Sequence, residues 1–270
     1  MRTRNVGLIG FGSIGRSIID AWPPALNQSQ RLVSLLVRTR QIEHARVLAS
    51  PALRVTDDFA KFVDGLDVAV EAAGHAAVLE HGEGILRRGV DCMLLSVGSL
   101  ADESVLQRLK CAADAGRARI LLPVGATAGL DGLLALRRAG LRHVRYTSTK
   151  PPAAWKDTVA QLHFDLDALT LPTVIFSGTA RQAAALYPRN ANLTAAVALA
   201  GLGFDDTEVN LVADPAAREN VGQIEAKGAT SSLIVTVVGC SAPDNPKTSR
   251  ITGMSVLSAL DNQDSLLGFV

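Results

Sequence analysis

The chain has 270 residues and a formal net charge of +1, and 48% of its residues are hydrophobic while only 4% are aromatic. That is room for two modest domains, each with a core of its own. Near-neutrality without an acidic or basic tail excludes nucleic acid and anionic membranes as electrostatic partners.

The first half alternates short apolar runs with helical stretches. Val6 to Gly10 reads as a strand, and Ile14 to Trp22 as a helix stopped by Pro23-Pro24. A strand over Leu32 to Val37 and a helix over Ile42 to Ala49 follow, then a strand over Asp67 to Ala72 and a helix over Ala76 to Arg88. Asp91 to Val97 is a strand, Ala101 to Ala115 a helix and Arg119 to Pro123 a strand. Apolar strands alternating with helices predict a parallel sheet covered on both faces. From Arg142 the texture changes: Arg142 to Ser148 alternates like a half-exposed strand, and Val159 to Phe164 is less regular. Ala180 to Tyr187 and Leu193 to Leu202 are helical, whereas Glu208 to Ala213 and Ser231 to Val238 are strands. This grouping predicts an α+β second domain with an antiparallel or mixed sheet. A helix over Ser249 to Leu260 is expected to pack back on the first domain, which gives domains of 1–125 plus 244–270 and of 126–243.

Cys92, Cys111 and Cys240 are odd in number and far apart, in no metal or redox spacing. The opening Met1-Arg2-Thr3-Arg4-Asn5 runs into a strand with no signal-peptide apolar region, and no apolar run approaches bilayer length. A cytoplasmic protein with reduced thiols is expected.

Gly10-Phe11-Gly12-Ser13-Ile14-Gly15 fits G-x-G-x-x-G. The pattern is informative here because it follows an apolar strand and opens a helix. Gly10 permits the tight turn, Gly12 lets backbone approach a pyrophosphate, and Gly15 lets helix and strand pack closely. Free N–H groups at the helix start, around Ser13 and Ile14, then face the phosphates. The predicted fold class is therefore α/β: a Rossmann, doubly wound parallel sheet with a second α+β domain, binding NAD or NADP. The competing reading is a glycine-rich turn with no ligand.

The end of the second strand usually supplies an acid for the ribose 2′-hydroxyl. Here it reads Val37-Arg38-Thr39-Arg40, with no acid. Arg38 suits the 2′-phosphate of NADP or stacking on adenine; the alternative is a solvated arginine pair. Ala72, Ala73 and Gly98 sit at later strand ends, where small residues permit close approach to a cofactor. His75, just after such an end, reads as a structural or rim residue rather than a catalyst.

Several stretches together resemble the L-aspartate dehydrogenase family. They are Val6-Gly-Leu-Ile-Gly-Phe-Gly-Ser-Ile-Gly15, Val70-Glu-Ala-Ala73, Ser96-Val-Gly98, Gly125-Ala126 with Gly129-Leu-Asp131, Lys150-Pro-Pro-Ala-Ala-Trp155, Tyr187-Pro-Arg-Asn-Ala-Asn192, Ala213-Asp-Pro215 and Asp244-Asn-Pro-Lys-Thr-Ser249. The resemblance implies oxidation of L-aspartate to iminosuccinate with NAD or NADP, or the reverse amination of oxaloacetate. It also implies a homodimer built partly by the second domain. Carried over, it puts Ala126 and Asn192 on the cofactor and Lys150 opposite a substrate carboxylate. Asn192 also suits a helix N-cap, and Lys150 also reads as a loop lysine.

One position departs from the family. Its catalytic histidine lies in a segment Asn-x-His-x-Ile, which here is Asn220-Val221-Gly222-Gln223-Ile224. Gly222 cannot exchange a proton, and it leaves empty space in which a larger substrate would fit. General acid–base help is worth about 10²–10⁴ in rate, so hydride transfer survives the loss but slows. Two alternatives stay open beside aspartate: a different imine or amine oxidoreductase, and a dinucleotide-binding protein without catalysis. A serine hydrolase is excluded by the lack of a G-x-S-x-G elbow. A metal enzyme is excluded by the lack of clustered ligands, so no metal is expected.

Overall fold

A computed structural model of the chain describes residues 3–22, 29–239, 241–242, 245–249 and 251–268. Pro23-Pro24, Cys240 and Asp244 lie outside them. The chain forms two compact units, Met1–Gly125 with Thr252–Val270, and Ala126–Ile251. The sequence reading drew the second boundary after residue 243, whereas the contacts draw it after 251.

The first unit is built in chain order from β1 (Arg4–Ile9), α1 (Ser13–Ala21), β2 (Gln30–Leu36), α2 (Ile42–Leu48), β3 (Arg54–Thr56), α3 (Phe59–Val63), β4 (Val68–Glu71), α4 (His75–Leu86), β5 (Asp91–Leu94), α5 (Glu103–Gly116) and β6 (Ile120–Leu121). Its six strands run in the order β3-β2-β1-β4-β5-β6 and every pair is parallel. That order reverses between β1 and β4, which opens a crevice at the carboxyl ends of the strands. Val6, Leu8, Leu35, Val68, Val70 and Met93 bury the sheet's interior. The terminal helix, Ile251–Asp264, adds Val256 and Leu260 to the same core. β3 and α3 have no counterpart in the sequence reading. A three-residue strand and a five-residue helix are too short to show a period. What starts α3 is local: Asp58 Oδ1 accepts from the N–H groups of Ala60 and Lys61, at 2.8 and 3.2 Å.

The second unit contains α6 (Leu130–Arg138), β7 (Leu141–Lys150), β8 (Thr173–Thr179), α7 (Ala180–Leu186), α8 (Asn192–Ala200), β9 (Glu208–Ala213), β10 (Asn220–Gly228) and β11 (Ser232–Gly239). Two short strands, β12 (Ser241–Ala242) and β13 (Asn245–Ser249), pair with each other. The five-stranded sheet has the order β11-β10-β7-β9-β8. It is mixed, because β7 and β9 are parallel while the other pairs are antiparallel. One face is covered: Leu133 and Leu136 of α6 and Val197 and Ala200 of α8 pack on Val144, Tyr146, Ile224 and Ala226.

On the opposite face a row of aligned residues crosses the whole sheet. Val174 stands opposite Val212, Val212 opposite Thr149, Thr149 opposite Val221 and Val221 opposite Val238. Val174 and Val238 are 51% and 58% exposed.

The sequence reading missed α6, β8 and β10. In β10 (NVGQIEAKG) a glycine interrupts the apolar alternation, so no period of two emerges. Among the described residues, no helix is long and apolar enough to cross a membrane. Cys92 is buried and Cys111 exposed, both as free thiols, and burial pushes the Cys92 thiol up to about 12.

Candidate active site

The crevice of the first unit is a cleft of about 450 Å³. Gly10, Phe11 and Gly12 line it from the end of β1, and Val37, Arg38, Thr39 and Gln41 from the end of β2. Asp57 enters after β3, and Ala72, Ala73, Ala76, Ala77, Glu80 and His81 enter from the end of β4 and from α4. Of the residues predicted for a cofactor, Gly10, Gly12, Arg38, Ala72 and Ala73 thus share one cavity.

Each glycine of the turn has a distinct geometric duty. Gly10 has φ +103°, the left-handed side that other residues avoid, and a Cβ there would lie 2.8 Å from the Ala72 carbonyl oxygen. Gly15 lies in α1, where a Cβ would overlap the carbonyl oxygen of Gly10. Gly12 is different: apart from its chain neighbours, nothing among the described residues comes within 4 Å of its Cβ position. The turn therefore keeps a cradle open in front of the α1 amide groups. Ser13 and Ile14 belong to α1 itself, and Ile14 packs on the core.

Glu71 holds the far wall. It is 1% exposed, and Oε1 accepts from the backbone N–H groups of Ala73 and Gly74 at 2.7 Å each and from Ser96 Oγ at 2.9 Å. Oε2 accepts from Ser96 N–H at 2.9 Å. One carboxylate thus ties the end of β4 to the end of β5 with four bonds. Just beyond Ser96, Gly98 is buried in a 3-10 turn over Val97–Ala101. On the rim of the cleft, His81 stacks on Phe59, with ring centroids 5.1 Å apart. Loss of hydration on burial lowers its pKa against the pull of Glu80, which keeps the ring neutral at pH 7.

Ala126 opens the second unit. Lys150 is the last residue of β7 and only 9% exposed, so it is a buried strand terminus rather than a loop lysine. Its Nζ donates to Asn190 Oδ1 at 2.9 Å and lies 5.3 Å from the centre of the Trp155 ring. Trp155 is fully buried and donates from Nε1 to the Val212 carbonyl at 3.0 Å. Tyr187 packs edge-on to Trp155, and Phe176 packs on Tyr187. Asn192 is the first residue of α8; the capping position is Ala191, and no side chain caps this helix. The N-cap reading of Asn192 is therefore corrected.

Gly222 lies inside β10, opposite Ser148 of β7. Its φ is outside the positive range, so glycine is not there for backbone freedom. The sequence reading put empty space beside it; the structure instead places a side chain there. A Cβ at Gly222 would lie 3.0 Å from the hydroxyl oxygen of Tyr146. Tyr146 is 1% exposed and hydrogen-bonded to Ser148, and burial pushes its pKa far up. Among the described residues, no group of three or more His, Cys, Asp or Glu is arranged to hold a metal.

A glycine turn with an open cradle, at the switch point of a parallel sheet in this order, defines a nicotinamide-dinucleotide-binding protein of the Rossmann class. Residues 10–123 match the family described as homoserine dehydrogenase, NAD binding domain, and residues 131–263 match aspartate dehydrogenase, C-terminal. The L-aspartate dehydrogenase of Ralstonia pickettii is 42% identical over 96% of this chain and 97% of its own. That of Cupriavidus necator is 43% identical with the same coverage. The crystal structure of aspartate dehydrogenase from Thermotoga maritima superposes with a TM-score of 0.78 at 26% identity, covering all of both chains. The chain belongs to the L-aspartate dehydrogenase family.

Proposed function

We propose that this protein is an NAD(P)-dependent L-aspartate dehydrogenase, interconverting L-aspartate with iminosuccinate, or oxaloacetate plus ammonia with L-aspartate. The observation that carries this reading is the match to named L-aspartate dehydrogenases over nearly the whole of both chains.

The residues present fit the dinucleotide. The α1 amide groups at Ser13 and Ile14, behind the open Gly12 cradle, receive the pyrophosphate. Arg38 and Asp57 line the same cleft and offer the adenosine ribose two partners. A 2′-phosphate pairs with Arg38, and a 2′-hydroxyl donates to Asp57. Ala72, Ala73 and Gly98 leave room at the strand ends, and Glu71 fixes the loops that carry them. From the second domain, Ala126 and Asn192 contact the cofactor, and Lys150 meets a carboxylate of the substrate. When bound, NAD or NADP supplies the hydride chemistry. At Gly222 no side chain exchanges protons, and Tyr146 is held protonated by burial, so water carries the proton. The enzyme works as a homodimer. Support comes from the row of four valines and Thr149 across that face of the second sheet, exposed at its ends Val174 and Val238, a mostly apolar strip suited to a second copy of the same strip. A cytoplasmic setting accords with the free thiols at Cys92 and Cys111.

The test is oxidation of NADPH or NADH driven by oxaloacetate plus ammonia. Consumption that requires both is expected; cofactor binding without any such turnover would overturn the reading. Arg38→Asp sharpens the cofactor question. NADPH affinity should fall roughly 10–100-fold, the worth of about two charge-assisted bonds, with NADH little affected. Unchanged NADPH affinity by calorimetry removes Arg38 from the site.

A further inference from the structure

We propose that Asn190 acts with Lys150 as a carboxylate-binding pair, so that specificity for an acidic substrate resides in a buried amide as well as in the lysine. The inference rests on the aspartate reading for the identity of the carboxylate, and on geometry for the rest.

Asn190 closes the 3-10 turn Pro188–Asn190, which precedes α8, and its backbone N–H donates to the Tyr187 carbonyl at 2.8 Å. That bond fixes the backbone under the side chain. The orientation of the amide is set by chemistry: an ammonium only donates, so the atom 2.9 Å from Lys150 Nζ is the oxygen. The NH₂ end must then point the other way. Nδ2 is buried, and among the described residues no acceptor meets it. A buried donor left without an acceptor is costly, and in a native fold it calls for an explanation.

A carboxylate supplies one. It is the acceptor-rich planar group that takes one oxygen from an ammonium and the other from an adjacent amide N–H. The two donors are bonded to each other through Oδ1, so they sit side by side. The support beneath them is rigid. The Trp155 face holds the ammonium by cation–π attraction, and Trp155 is itself pinned by Val212 and Tyr187. A site built this way favours anions with a carboxylate over neutral analogues, because a neutral ligand leaves Nδ2 unpaired.

The experiment titrates succinate into the full-length protein saturated with NADP, by calorimetry, comparing Asn190→Ala and Asn190→Asp with the unaltered chain. Melting curves and NADPH affinity serve as checks of folding. The unaltered protein should bind succinate. Asn190→Ala should weaken it roughly 10-fold and raise the KM for oxaloacetate in parallel, the effect of one charge-assisted hydrogen bond. Asn190→Asp should weaken it at least ~100-fold, because the new carboxylate occupies the Lys150 ammonium and repels the ligand. No succinate binding by the unaltered protein, or unchanged affinity in both folded variants, overturns the pair. If succinate binding depends on Asn190 but oxaloacetate plus ammonia is not turned over, the pair stands and the aspartate reading falls. If turnover occurs and both variants bind succinate normally, the reverse holds.

Discussion

Replacing Gly12 by valine should weaken NADPH binding at least ~100-fold, roughly 3 kcal/mol, while leaving the melting temperature nearly unchanged. The expectation comes from the contrast between the glycines of one turn. Gly12 has φ −83°, which valine tolerates, and beyond its chain neighbours its Cβ position meets nothing within 4 Å among the described residues. Any cost of the substitution therefore falls on whatever occupies the open space, and the α1 amide groups behind it point to a phosphate. Gly15→Val makes the complementary control. Its side chain would collide with the Gly10 carbonyl, so that variant should lose stability by several kcal/mol and lose binding as a consequence of misfolding. Calorimetry together with thermal melts separates the two. A folded Gly12→Val protein with normal affinity would mean that the dinucleotide does not lie along this turn.

The second large effect concerns Gly222. Restoring a histidine there should not by itself restore fast proton transfer. A Cβ at this position comes within 3.0 Å of the Tyr146 hydroxyl, and Tyr146 is packed among Val144, Ile224 and Ala226 and has little freedom to retreat. Gly222→His alone should cost about 1–3 kcal/mol of stability through overpacking, with little gain in turnover. Removing the hydroxyl changes this. In Tyr146→Phe the nearest ring carbon to that Cβ is at 3.5 Å, an ordinary contact. The double variant Gly222→His with Tyr146→Phe should melt above the single one. Its kcat for oxaloacetate amination should rise about 10²–10⁴-fold over the unaltered chain, with a pH dependence near the imidazole pKa of about 6.5. A stable double variant that binds cofactor and gains no activity would show that position 222 does not face the reacting carbon.

These two residues also mark where the sequence was legible. The glycine turn is a local object: its spacing, the strand before it and the helix after it lie within a dozen residues, so its geometry could be read directly. The parallel class of the first sheet followed from strand–helix alternation for the same reason. Asp57 is the opposite case. It joins Arg38 in the cleft only because β3, three residues long and without periodicity, pairs with β2. An acid therefore does line the cleft beside Arg38, carried by the neighbouring strand end and not by β2. Glu71 stood inside a resembling stretch, yet two of its four bonds depend on Ser96 lying at the adjacent strand end, 25 residues away. Tyr146 and Gly222 belong to paired strands 76 positions apart in sequence. Nothing in Asn220-Val-Gly-Gln-Ile224 announces that a phenol fills the gap, and glycine at the third place hid the strand as well. Lys150 also read as a loop lysine because the alternating strand was followed only to Ser148; in the fold it is the buried end of the longest strand in its sheet.

The terminal helix sets the order in which the molecule can be completed. Val256 and Leu260 are 0% and 1% exposed in the core of the first unit, but the ribosome reaches them only after all of Ala126–Ile251 has been made. At about 5–20 residues per second, the first sheet waits on the order of ten seconds with one side of its core uncovered. During synthesis the nucleotide-binding half is therefore an unfinished shell, while the second unit, contiguous in the chain, can close on its own. The half that begins the chain is the last to be sealed.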